Sequence, residues 1–228
     1  TGLMLFIWFS RRRISDAAAG IESAGGGSVL DALQSRWAIF GAVAIGLYVG
    51  AEVSIGSIMI NFLNQPEIMN LPLEIAGFYL ANIYWMGALI GRFLGSYLLT
   101  RVAAPKLLLA AASCASLLCL VVAFTGGPTA GYAALAVGLF NSIMFPTIFT
   151  ITLERAGVSQ ASTSGLLCVA IVGGAILPYV VGQMADQSSL TLSFLIPMLA
   201  YAVIAIFGLL ARRAKADQPR EAIPATPH

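Results

Sequence analysis

The stretch WAIFGAVAIGLYVGAEVSIGSIMINF, Trp37 to Phe62, decides the fold. It is apolar nearly throughout, with Ser54, Ser57 and Asn61 as neutral polar residues and one charged residue, Glu52. At 1.5 Å per residue, a helix of this size runs roughly 39 Å. That is more than the ~30 Å hydrocarbon layer of a bilayer requires. Transmembrane strands would instead read as ~10-residue alternations of apolar and polar residues, which this run is not.

The rest of the chain agrees with that start. Of its 228 residues, 59% are hydrophobic and 10% charged, where soluble domains carry about 25% charged residues. No aqueous core of this size absorbs so much apolar surface, so the chain reads as an all-α integral membrane protein embedded in a lipid bilayer. A net charge of +2 is too small and too dispersed for a nucleic-acid partner. Cys114, Cys119 and Cys168 lie in apolar runs without a C-x-x-C pair, so neither a disulfide framework nor a zinc site is expected, and no other metal or cofactor is indicated. The single histidine, His228, is the last residue of a Pro-rich tail and is not placed for chemistry in the apolar core.

Working outward from Trp37, six spans emerge, separated by Pro, Gly or charge. They are Trp37 to Phe62, Ile75 to Leu99, Lys106 to Phe124, Thr129 to Thr152, Ser162 to Met184 and Leu190 to Ala211. Their connections segregate by charge. Alternate ones hold Arg11, Arg12, Arg13 and Arg36, then Arg101 and Lys106, then Arg155, then Arg212, Arg213, Lys215 and Arg220. The other three hold only the acids Glu67, Glu74 and Asp186. Under the positive-inside rule the basic side, with the C-terminus, is cytoplasmic. An error of one span would scramble this pattern, so it supports the count of six independently.

Residues 1–9 (TGLMLFIWF) are apolar but too short to cross, and the arginines follow rather than precede them, opposite to a signal peptide. They read as the end of a preceding transmembrane helix in a longer protein. Residues 10–35, rich in Gly, Ala and Ser with GGGS at Gly25 to Ser28, read as a flexible cytoplasmic linker. Residues 36–212 form the six-helix unit, and 213–228 a disordered cytoplasmic tail.

A long cytoplasmic linker followed by six spans ending in the cytoplasm matches a transporter half built as two inverted three-helix repeats. Polar residues support such a pairing. The first and fourth spans carry Tyr48, Glu52, Ser54 and Asn141, Ser142, Thr147, whereas the third and sixth have mainly Ser, Cys and one Tyr. Equivalent spans of two repeats thus line a wet space.

Four runs then carry a family resemblance: YVGAEVSIGS (Tyr48 to Ser57), YWMGALIGRFLGS (Tyr84 to Ser96), GLFNSIMFPTIFTI (Gly138 to Ile151) and GGAILPYVVGQMAD (Gly173 to Asp186). They resemble the C-terminal half of the major facilitator superfamily, and more narrowly the L-fucose permease and bacterial glucose/galactose transporter family. The resemblance implies half of a twelve-helix bundle in a bacterial inner membrane. That bundle would be a sugar:proton symporter whose partners are a hexose or deoxyhexose, protons and the N-terminal half of the same transporter. One departure stands out: GSYLLTRVAAPK, Gly95 to Lys106, lacks the acid that usually precedes the basic residues of the superfamily's cytoplasmic loop signature. The family's best-established proton-carrying acids belong to the N-terminal half.

Glu52 is the sharpest single feature. It lies roughly 24 Å along the helix from Arg36 and ~18 Å from Asn64, well inside the membrane. An ionised carboxylate there costs on the order of 2.5–3.5 kcal/mol, so it faces water, a partner or a proton. Tyr48, four residues earlier, shares its helical face. Glu52 is expected to accept hydrogen bonds from sugar hydroxyls; the competing reading is a structural bond between helices. Asn82 and Trp85, one turn apart, offer the amide and flat ring that sugar sites combine, against a packing role for Trp85. Asn141 precedes Pro146, whose missing N–H frees a carbonyl in mid-membrane and either aims Asn141 at a cavity or makes an ordinary kink. Gly173, Gly174 and Pro178 read as close packing and bending. Arg92 lies ~13 Å from its helix end, a long reach for snorkelling. Glu154 is its expected partner in a brace or gate.

Three function classes compete. Secondary transport by alternating access leads, since there is no phosphate-cradling GxxxxGK[ST] for ATP drive. A self-pairing six-helix channel or carrier for another small polar solute is the alternative. An intramembrane enzyme is disfavoured: no histidine is available for a dyad, and STSG at Ser162 to Gly165 lacks the first Gly of a serine-protease motif.

Overall fold

The computed structural model describes Arg11 and residues 28–214. The helix end expected at residues 1–9, most of the linker, and the tail past Ala214 lie outside the described residues. Within them the chain forms six apolar helices long enough to cross a bilayer. They are α1 (Arg36–Asn64), α2 (Leu73–Leu99), α3 (Ala104–Phe124), α4 (Gly127–Arg155), α5 (Gln160–Gln187) and α6 (Leu190–Arg213). Each matches one expected span, extended by up to a few residues.

Local chemistry fixes the ends. The Ser35 hydroxyl caps α1 by accepting from the Ala38 amide at 3.3 Å. Ser159 and Ser189 cap α5 and α6 in the same way, each at 3.1 Å. Pro105 and Pro128 occupy the first turns of α3 and α4, where a missing N–H costs nothing. Gly157, at φ +63°, lets the backbone turn left-handed just past the end of α4.

The last part of the expected linker is ordered. Val29–Gln34 is a 3₁₀ helix whose Ser28 hydroxyl accepts from the Leu30 amide (3.2 Å), while the Asp31 carboxylate accepts from the Ser28 amide (2.8 Å). Ala32 is buried beneath it, and Val29 lies against Gly165 of α5. Ser28 and Asp31 thus cap the turn reciprocally.

The helix contacts have an internal symmetry. α3 and α6 pack on each other, α3 on α4, and α6 on α1; α5 lies on α1 as α2 lies on α4. Exchanging helices 1–3 with 4–6 maps this pattern onto itself, as two three-helix repeats require. Because lipid is as apolar as leucine, close backbone approach replaces the hydrophobic effect as the glue. A Cβ on Gly173 would strike the backbone of Gly46, and one on Gly138 would strike that of Tyr84. These two crossings, α1 with α5 and α4 with α2, are counterparts in the two repeats.

Three helices are irregular near mid-length. α2 takes a π-helical turn over Leu80–Trp85. α4 breaks at Ser142 and Ile143, where Pro146 has no N–H for the Ser142 carbonyl. α5 breaks at Ile171 and Val172, so Gly173 and Gly174 open its second segment and Pro178 sits inside it.

Candidate functional site

Where α1, α2 and the break of α4 meet, there is a cavity of about 520 Å³ lined by Tyr48, Val49, Glu52, Arg92, Ser142, Phe145 and Pro146. Its size falls within the ~300–1,000 Å³ typical of small-molecule sites. Helix periodicity delivers three of these residues from α1. Tyr48 and Glu52 are one turn apart on the same face, and Val49 is next to Tyr48. The Tyr48 ring also meets Phe145 at 6.2 Å between centroids. α2 contributes Arg92, in electrostatic range of Glu52 and Tyr48. The α4 break contributes Ser142, whose hydroxyl donates back to the Leu139 carbonyl at 2.9 Å. A carboxylate acceptor, a five-donor guanidinium and two aromatic faces thus surround one space. Hydroxyl groups can pair with the first two, and C–H surface can lie on the rings.

Several expected site residues lie off this cavity. Asn141 is fully buried, and its amide donates to the Tyr84 hydroxyl at 3.0 Å. Its Oδ1 and the Tyr201 hydroxyl have no hydrogen-bond partner among the described residues. Asn141 therefore points into the bundle, because it ends the first segment of α4 just before the chain turns. Asn82 is exposed in the π-helical turn and donates to the Phe78 carbonyl at 2.9 Å. Trp85 is 47% exposed, stacked edge-on against Tyr84 with centroids 5.1 Å apart and set beside Gly56 of α1. Pro146, expected only to bend α4, lies on the cavity wall.

Arg92 and Glu154 do not meet. Gly91 lies against Leu139 and Ser142, and Gly95 against Ile143, so Arg92 is level with Ser142. Glu154 is exposed and twelve residues farther along α4, roughly 18 Å away at 1.5 Å per residue. The acid that shares a cavity with Arg92 is Glu52. Sequence reasoning found both charges and missed that they line one cavity, since helix rotation alone decides it. Ser142 and Phe145 were missed as wall residues, though the break that exposes them was signalled by Pro146.

Among the described residues no group of three or more His, Cys, Asp or Glu side chains is placed to hold a metal.

Six helices in two three-helix repeats, with two charged groups on a cavity at mid-length of the helices, are the architecture of a major facilitator half. No protein-family model matches the chain. It is 43% identical over 183 residues to the glucose/galactose transporter of Brucella abortus, covering 80% of this chain and 44% of that protein. It is 35% identical over 199 residues to the L-fucose-proton symporter of Escherichia coli K12, covering 85% of this chain and 43% of that protein. Among solved structures, the major facilitator superfamily transporter FucP in its outward conformation superposes with a TM-score of 0.74 at 33% identity, covering 78% of this chain and 43% of that one. The homologues of this chain are thus glucose/galactose and L-fucose-proton transporters, and its structural neighbour is a major facilitator superfamily transporter, of which it matches the C-terminal half. The chain spans about half the length of these relatives.

Proposed function

We propose that the chain is the C-terminal half of a twelve-helix transporter that moves a hexose or deoxyhexose across the bacterial inner membrane by alternating access, in symport with protons. The observation that carries this reading is the cavity holding Tyr48, Glu52 and Arg92, in a chain whose relatives are named as sugar transporters. Charged side chains at this depth are expensive and mark a solute path. A sugar fits the set: ring hydroxyls donate to Glu52 and accept from Arg92, and the C–H face rests on Phe145 and Tyr48.

The covering partner is the N-terminal half. Only 17% of the most apolar stretch of α2 and 11% of that of α5 is buried, against 50% in α1 and 61% in α4. Helices so bare leave room for a second bundle to pack on them. Asn82 and Trp85, on the exposed side of α2 one turn beyond Glu52, reach a sugar from that interface. The arginine-rich side, with the C-terminus, is cytoplasmic. A self-pairing channel is not favoured, since the relatives are transporters, and transporters rather than enzymes.

The test is labelled hexose uptake by the complete transporter in vesicles, with and without an imposed inward proton gradient. Uptake should rise with the gradient and be abolished in Glu52→Ala at unchanged folding. Undiminished uptake by Glu52→Ala would discard the assigned site, and uptake indifferent to the gradient would discard proton coupling.

A further inference from the structure

The cavity described above holds two charged side chains of opposite sign and no others. Glu52 comes from α1 and Arg92 from α2, and each lies in electrostatic range of the other. The remaining wall residues, Tyr48, Val49, Ser142, Phe145 and Pro146, carry no charge at neutral pH. The nearest alternative acid for Arg92 along α4, Glu154, is about 18 Å farther down that helix, by the register given above. Among the described residues no other charged side chain lines this cavity.

Charges on a cavity wall act on a bound solute more strongly than in bulk water, because protein and lipid screen less than water does. With both side chains present the summed charge is zero, and a charged solute meets attraction from one wall and repulsion from the other. A neutral polyol loses nothing, since it offers a donor to the carboxylate and an acceptor to the guanidinium. Removing one of the two leaves the other uncompensated and turns the cavity into a site for the opposite charge. Specificity by a placed repulsive element is the general route by which sites reject near-identical ligands.

We propose that Glu52 and Arg92 form the charge filter of the sugar site. Together they select uncharged sugars, Glu52 excluding sugar acids and Arg92 excluding amino sugars. The inference rests on the sugar-site reading of this cavity and adds the property that discriminates among sugars of one shape.

The experiment uses the complete transporter in proteoliposomes as wild type, Glu52→Gln and Arg92→Gln. Direct binding of labelled galactose, galacturonate and galactosamine is measured for each. Wild type should bind galactose and prefer it to both charged sugars. Glu52→Gln should improve galacturonate relative to wild type by at least about tenfold, and Arg92→Gln should improve galactosamine by a like factor. Galacturonate binding no better in folded Glu52→Gln than in wild type overturns the proposal. So does galactosamine binding no better in folded Arg92→Gln. Should one variant fail to fold, the other decides alone. Failure of wild type to bind any of the three sugars would instead sink the sugar-site reading. A wild type that binds galactose while both variants keep its charge preference would sink the filter and leave that reading standing.

Discussion

The side-chain amide of Asn141 donates a 3.0 Å hydrogen bond to the hydroxyl of Tyr84, tying the π-helical turn of α2 to the last residue before the break in α4. Both residues are fully buried. The two irregular places in these helices are therefore locked to each other at one depth. With Asn141 Oδ1 already unpartnered, Tyr84→Phe strips the amide of its one bond. A cost of about 1–3 kcal/mol follows from leaving a buried polar group unsatisfied. Asn141→Leu should cost a comparable amount, and the double variant less than the sum, because the shared bond is lost only once. Thermal unfolding in detergent across the four proteins checks this; strictly additive losses would mean that the bond carries no coupling.

Small-residue crossings give a sharper contrast within one helix. On α5, a Cβ at Gly173 meets the backbone of Gly46, which cannot move aside, while a Cβ at Gly182 meets nothing within 4 Å. Gly173→Ala should force α1 and α5 apart and lower both expression and melting temperature. Gly182→Ala should be neutral or mildly stabilising, as alanine holds a helix better than glycine by up to ~1 kcal/mol. Equal melting temperatures for the two variants would show that the crossing is looser than the backbone contact indicates.

What was readable in advance follows from these physical differences. Span number and limits are sums over about 20 residues, so hydropathy and the segregation of Arg101, Lys106, Arg155 and Arg212 from Glu67, Glu74 and Asp186 reported them well. Glu52 was legible because a lone carboxylate in oil is costly wherever it points. Direction was not legible. Arg92 lines the cavity of Glu52, away from Glu154, because of the rotation and level of α2, which the packing of Gly91 and Gly95 on α4 sets. Asn141 turns inward because its partner, Tyr84, sits on another helix fifty-seven residues earlier. In an all-apolar helix no polar stripe announces which face is inside.

Arg155 closes the basic end of the bundle. Its guanidinium lies over the Trp37 ring, 5.4 Å from the centroid, and its Nη1 donates to the Ala214 carbonyl at 3.0 Å. The start of α1 and the ends of α4 and α6 are thereby joined through one side chain that is 9% exposed. Arg155→Gln should cost roughly 1–3 kcal/mol, combining the lost cation–π contact with the lost charged hydrogen bond. Arg155→Lys should recover little, since an ammonium cannot lie flat on the indole and donate sideways at once. Chemical unfolding with both variants measures this, and full recovery by lysine would reduce the contact to simple charge.

Pro146 sits on the cavity wall in the third position of the second segment of α4, Met144–Arg155. Early in a helix proline is tolerated, so its stability cost here is small; its effect is to withhold an N–H from the Ser142 carbonyl and keep the break open. With alanine at 146 that bond can form, and the two segments of α4 can fuse into one rod. Ser142 and Phe145 would then rotate relative to Tyr48 and Glu52, which stay fixed on α1. Pro146→Ala is therefore expected to keep or raise the melting temperature while lowering the maximal rate of hexose uptake by the complete transporter severalfold. Transport at the wild-type rate, with a melting temperature also unchanged, would mean that the break is held by the α2–α4 packing at Gly91 and Gly95 rather than by the missing proton of Pro146.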